Sequence, residues 1–159
     1  MLPRAPIEPE GTFTGLSAAA ILFGACVDIA ATVVGSTLLV LWLAPQLPTS
    51  DPAKAQEALN QLAASPAYIA ANLVVGALCT VFGAFAGARR AGQLHVRHGG
   101  WIAVSSTALG VLLTSLEPVP SAGAAPLPFW PEVIAWLLIL PAGMLGGALA
   151  GALAQDPNR

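Results

Sequence analysis

The 159-residue chain is 56% hydrophobic and only 9% charged, with a formal net charge of −2 and a mean hydropathy of +0.75. A soluble domain carries about 25% charged residues, so this chain has too little polar surface to fold in water, and a lipid bilayer is its expected surroundings. The negative net charge excludes the basic surface that nucleic acid requires, and no nucleic-acid partner is expected. Arg outnumbers Lys and Ala and Gly are abundant, a composition that points to a bacterial chain and hence to the cytoplasmic (inner) membrane.

The first apolar stretch covers residues 15–43 and contains one charged side chain, Asp28. Phe13 and Trp42 lie about 15 residues to either side, which at about 1.5 Å per residue places the carboxyl near the middle of a bilayer. Such a group costs about 2.5–3.5 kcal/mol on insertion scales and marks a functional site by default. Leu22-Phe23-Gly24-Ala25-Cys26 faintly matches a lipoprotein cleavage box, but hydrophobicity continues to Leu43, so the stretch reads as a retained helix. Cys26 and Cys79 both fall inside apolar stretches, where thiols behave as small hydrophobes.

Next comes an outer segment, 49–65, with a helix start at Ser50-Asp51-Pro52, a cap followed by proline in the first turn. Leu59 and Leu62 on an otherwise polar, Ala-rich helix predict that it lies on the membrane surface. Ser65-Pro66 restarts the chain into the second span, 67–88. A basic loop over 88–100 holds Arg89, Arg90, His95, Arg97 and His98. The third span, 99–116, is the most polar, with Ser105, Ser106, Thr107 and Thr114. The outer loop 117–129 contains Pro118, Pro120, Pro126 and Pro128 and is expected to be extended. The fourth span covers 130–153. The expected fold is therefore all-α: a polytopic membrane protein, a four-transmembrane-helix bundle with a short surface helix in the first outer loop, forming one domain over 1–159.

Basic residues set the orientation. Arg4, Arg89, Arg90, Arg97 and Arg159 fall on one side and Lys54 on the other, so both termini are expected in the cytoplasm. The aromatic residues agree, with Trp42, Tyr68 and Trp130 at the outer boundary and Phe13 and Trp101 at the inner one.

Counting along the spans puts Asp28, Thr80, Ser106, Thr107 and Gly143 at nearly one height, with Pro141 a turn outward and freeing the carbonyl of Leu137. Together with Thr32, one turn from Asp28, these residues predict a polar layer in which Asp28, Thr32, Thr80, Ser106 and Thr107 face one another. With no Lys or Arg in any span, desolvation favours the neutral acid at Asp28. Either it is hydrogen-bonded glue between helices, or it loads and unloads a proton. Gly83 and Gly87 on the second span and Gly143, Gly147 and Gly151 on the fourth form small-residue faces that let helices approach closely. They predict a tight bundle with little room for a large cavity, and the fourth-helix face is a candidate surface for a homo-oligomer or another membrane protein. Arg89, Arg90 and Arg97 either set topology or bind anionic lipid headgroups.

Nothing points to catalysis. The chain lacks GxSxG, HExxH and nucleotide-binding loops, and His95 and His98 without a third donor make a poor metal site. No enzyme activity, cofactor or metal is expected.

Asp28-Ile29-Ala30-Ala31-Thr32 resembles the first span of the small multidrug resistance transporters, four-helix proteins with an acidic residue followed four positions later by a hydroxyl. This chain carries Asp where that family has Glu, and it has longer outer loops. The likeness covers about a dozen residues and implies a proton-handling acid at Asp28. The acidic first helix and the Gly/Arg-rich end of the second are also loosely similar to uncharacterised small four-span bacterial inner-membrane proteins, which implies topology alone. Two functions are therefore expected: an accessory or structural membrane protein acting through helix packing, or a small proton-coupled transporter with Asp28 as its proton site.

Overall fold

The computed structural model describes residues 13–43, 50–116 and 129–155. They form five helices: α1 (Ala18–Leu43), α2 (Pro52–Ala64), α3 (Pro66–Ala91), α4 (His95–Ser115) and α5 (Trp130–Ala154). Arg4, Arg159 and the prolines at 118, 120, 126 and 128 lie outside the described residues.

Helix ends follow local chemistry. α1 starts at Ala18, later than expected, because Gly15 (φ 79°) turns the chain and the Ser17 hydroxyl accepts the Ala20 N–H at 3.3 Å. Asp51 caps α2 by accepting the Ala53 N–H at 3.0 Å, with Pro52 in the first turn, as the sequence predicts. Ser65 ends one helix and begins the next. Its N–H bonds the Leu62 carbonyl at 2.9 Å, and its hydroxyl accepts the Tyr68 N–H at 3.3 Å.

The expected basic loop over 88–100 is largely helix. α3 runs on to Ala91 with Arg89 and Arg90 in its last turn, where cations suit the helix dipole. Gly92 stops it in the left-handed region at φ 72°. Only Gly92, Gln93 and Leu94 connect it to α4, and Leu94 itself takes φ 48°. α4 therefore opens at His95 with Arg97 and His98 already helical. The apolar run begins only near residue 99, which is where the sequence suggests a start, and the basic first turn before it opposes the helix dipole.

α1 packs against α3, α3 against α5 and α5 against α4, with smaller α3–α4 and α1–α4 contacts and none between α1 and α5; α2 touches α3 alone. The interior is small. Ala20, Ala25, Ala84, Ala88, Ala103, Ala142 and Ala150 are buried together with Ile102. Large residues such as Leu22, Val34, Leu78, Phe82, Trp136 and Leu137 are exposed. A fold stable in water buries its large hydrophobes, whereas close packing of small residues with bulky ones outside is the arrangement that lipid favours. α1, α3 and α5 are long and apolar enough to cross a membrane. α4, with 21 residues and three ionisable side chains in its first turn, is not among them.

Candidate functional site

The bundle has two ends: a turn end, holding Gly92–Leu94, and an opposite end, holding α2. At the turn end the backbones touch. Ile102 fills a notch between Gly24 and Gly87; a Cβ at Gly24 would lie 2.7 Å from its Cδ1. Gly99 of α4 meets Gly143 and Gly147 of α5, and Gly146 meets Val81 and Ala84 of α3. A Cβ on Gly83 would lie 2.6 Å from the Asp28 Cβ, so α3 supports the back of the acidic residue directly. Gly83, Gly87, Gly143 and Gly147 are thus all occupied within the chain. Gly151 is looser: the nearest atoms to its Cβ position belong to His95, at 3.5 Å.

His98 completes this end. Completely buried, it presents Nε2 to the Ser17 N–H at 2.9 Å and Nδ1 to the Leu94 carbonyl at 3.2 Å. A neutral ring with its proton on Nδ1 satisfies both contacts. The side chain weighed in the sequence as a metal ligand is therefore a cap that ties the start of α1 to α4. Among the described residues no group of three or more His, Cys, Asp or Glu comes together. Phe13 and Trp101, both expected at this boundary, pair with ring centroids 4.9 Å apart. The Arg90 guanidinium lies 5.0 Å above Phe23 and that of Arg89 lies 6.0 Å from Phe85. Both arginines are exposed, and Arg97 is half-buried.

Asp28 sits where the packed half ends. It is 3% exposed, and two hydroxyls converge on its Oδ1: Thr80 donates at 3.3 Å and Thr32 at 3.5 Å. Ser106 stands beside the same carboxyl, yet its buried Oγ completes no hydrogen bond of ordinary geometry. Thr107 turns back to the Ala103 carbonyl at 2.9 Å. Four of the five predicted site residues thus gather at one carboxyl, and Thr107 lies beside them on a shared wall.

From this group a cleft of about 490 Å³ opens toward the α2 end. All four long helices line it, with Asp28 and Thr32 from α1, Asn72, Gly76 and Thr80 from α3, Ser106, Thr107 and Gly110 from α4, and Ala135, Leu138 and Ile139 from α5. The expectation of a bundle without a large cavity is overturned. The close glycine contacts concentrate in the other half; toward α2 Gly35 still meets Val75, but a Cβ at Gly76 or Gly110 would meet nothing within 4 Å.

α5 also departs from expectation. Gly143 packs on Gly99 and does not face the carboxyl. Pro141 and Leu137 are exposed on the outer surface, where Pro141 borders a shallow groove between α3 and α5. Gly143 meets Gly99 and Ala103, which precede Ser106 on α4, so counting along the helix did not bring it to the carboxyl. Asn72 was missed altogether. Its Oδ1 accepts the Ser36 hydroxyl at 2.8 Å, joining α1 and α3 near the cleft's outer end. Its spacing from Gly76 and Thr80, four and eight residues, was the signal available.

Chemically, the site offers one carboxyl, hydroxyls that can donate or accept, and apolar walls. It can bind a proton or pair with a single positive charge. No protein-family model, curated protein or solved structure matches this chain.

Proposed function

We propose that this chain is a small proton-coupled carrier in which Asp28 is the proton-binding site at the floor of an outward-facing cleft. The observation that carries the reading is that the cleft between the four long helices ends on this carboxyl. In this reading α4 is a fourth span: Val104, Val111 and Leu112 on its outer face are exposed, and its polar side chains Ser106 and Thr107 face the cleft.

The turn end, with exposed Arg89 and Arg90, lies on the cytoplasmic side of a bacterial inner membrane, among anionic headgroups. The cleft then faces outward, and the packed glycine half seals the inner side. An accessory role through small-residue faces draws less support, because Gly83, Gly87, Gly143 and Gly147 are engaged within the chain.

Carbodiimide labelling across pH, read by mass spectrometry at Asp28, tests this. Folded protein should label at low pH and lose reactivity as the carboxyl ionises. Asp28→Asn should assemble normally and abolish proton flux in proteoliposomes. Labelling seen only after denaturation would mean a sealed structural carboxyl and would return the accessory role to first place.

A further inference from the structure

We infer that the bundle carries a seat for one anionic phospholipid, with the headgroup on Arg89 and an acyl chain in the groove between α3 and α5. The inference uses the cytoplasmic placement of the turn end proposed above and is independent of the proton site.

The groove places the chain. On the outer surface, α3 and α5 leave a hollow of about 430 Å³, bounded by Leu78 and Val81 on one helix and by Pro141, Ala142 and Leu145 on the other. Every residue lining it is apolar. Between two spans there is no water to fill such a hollow, so a lipid chain occupies it. Toward the turn end Gly146 lies against Val81, Ala84 and Phe85 and brings α5 onto α3. A chain leaving the groove therefore runs outside this contact, over Phe85. Leu78, Phe85 and Arg89, spaced by seven and then four residues, share one face of α3 and lead from the groove to the guanidinium. From Leu78 to Arg89 is about 16 Å of helix, close to half of the roughly 30 Å hydrocarbon thickness. One lipid of a single leaflet spans that distance.

Arg89 is prepared for a phosphate. It is exposed, its guanidinium lies 6.0 Å from the centre of the Phe85 ring, and it makes no ion pair among the described residues. A ring against one face holds the guanidinium and leaves its in-plane N–H donors for two phosphate oxygens. Arg90 leans the other way, 5.0 Å over Phe23 of α1, so only Arg89 continues the groove.

Charge selects the lipid. Asp28 is buried in mid-span, Asp51 and Glu57 belong to the α2 end, and Glu132 stands in the first turn of α5. No carboxylate among the described residues therefore neutralises Arg89 and Arg90. An anionic headgroup does so, whereas a zwitterionic one would bring its own ammonium toward the second guanidinium.

Native mass spectrometry of the purified protein, titrated with phosphatidylglycerol and with phosphatidylethanolamine of the same chains, tests the seat. The first phosphatidylglycerol should bind about fivefold more tightly, and Arg89→Gln should remove that advantage. Arg90→Gln, an equal change of charge, should cost less than about twofold. Phe85→Leu keeps every charge that sets topology and should weaken phosphatidylglycerol about threefold. In nanodiscs, phosphatidylglycerol with a diazirine midway along its acyl chain should crosslink to 78–81 and 141–145. Equal losses in the two arginine variants, no preference for phosphatidylglycerol, or crosslinks spread evenly over the helix exteriors would overturn the inference. Displacement of the lipid by equimolar glycerol phosphate would also overturn it, as an anion site without a chain seat. So would a dimer whose groove crosslinks to a second copy and not to lipid. Asp28 labelling on the same sample separates the two readings. If Asp28 labels with pH and the lipid preference is absent, the lipid seat alone fails. If the lipid is held while Asp28 is inert, the carrier reading fails and the lipid seat stands.

Discussion

Gly87 and Gly76 lie eleven residues apart on α3, and Gly99 and Gly110 lie eleven apart on α4, about three turns, so each pair shares a face. At Gly87 and Gly99 a Cβ would collide with a neighbouring helix; at Gly76 and Gly110 it would meet open space. The same residue on the same face thus closes one half of the bundle and widens the other. What differs is the opposing surface and how the helices are tied. At the turn end, Ile102 fills a glycine notch, a three-residue turn joins α3 to α4 and His98 fastens α1. Toward α2, among the described residues, α1 is tied to α3 by the hydrogen bond from Ser36 to Asn72 and by Gly35 against Val75. Small residues permit close approach; they do not enforce it.

This contrast breaks first where backbones touch. Gly143→Leu places a side chain where even a Cβ would be 2.6 Å from the Ala103 Cβ, and it should cost about 3 kcal/mol or more by separating α4 from α5. Reversible unfolding in mixed micelles would measure this, and a cost near zero would show that the packed half is loose. His98→Ala leaves the Ser17 N–H without its acceptor and should cost about 2 kcal/mol. Amide exchange at the start of α1 should rise, while exchange near Asn72 stays unchanged.

Two smaller effects sharpen the other half. Ser36→Ala removes the hydroxyl bond to Asn72 and should cost about 0.6 kcal/mol, at most about 1.7, as measured bonds between helices in lipid do. Gly110→Ala should change stability by under about 0.5 kcal/mol, since its methyl meets nothing and lipid already enforces the helix. A cost equal to that of a matching Gly99→Ala change would erase the distinction between the halves.

Much of the site was legible because height along a helix follows from counting. Asp28, Thr80 and Ser106 meet as their positions predict, and Thr32 follows from spacing on one helix. The cleft was not legible, because it depends on how far apart helices stand, which residue type does not determine. Counting did not reveal that Pro141 faces outward and that Gly143 packs on α4, since α5 offers small residues on one side and Leu on several. His98 was obscured by its neighbours: a basic cluster reads as exposed, and nothing local announces that one member accepts an N–H eighty-one residues away in sequence.

Gly83 lies directly against the backbone of Asp28, and α1 meets α3 as closely at Gly24 and Gly87 on one side and at Gly35 on the other. The depth of the carboxyl is therefore set by main chain against main chain and not by the length of any side chain between the helices. A residue with a Cβ at position 83 would shift the acid itself, whereas a change at Gly76, which faces open space, would leave it where it is.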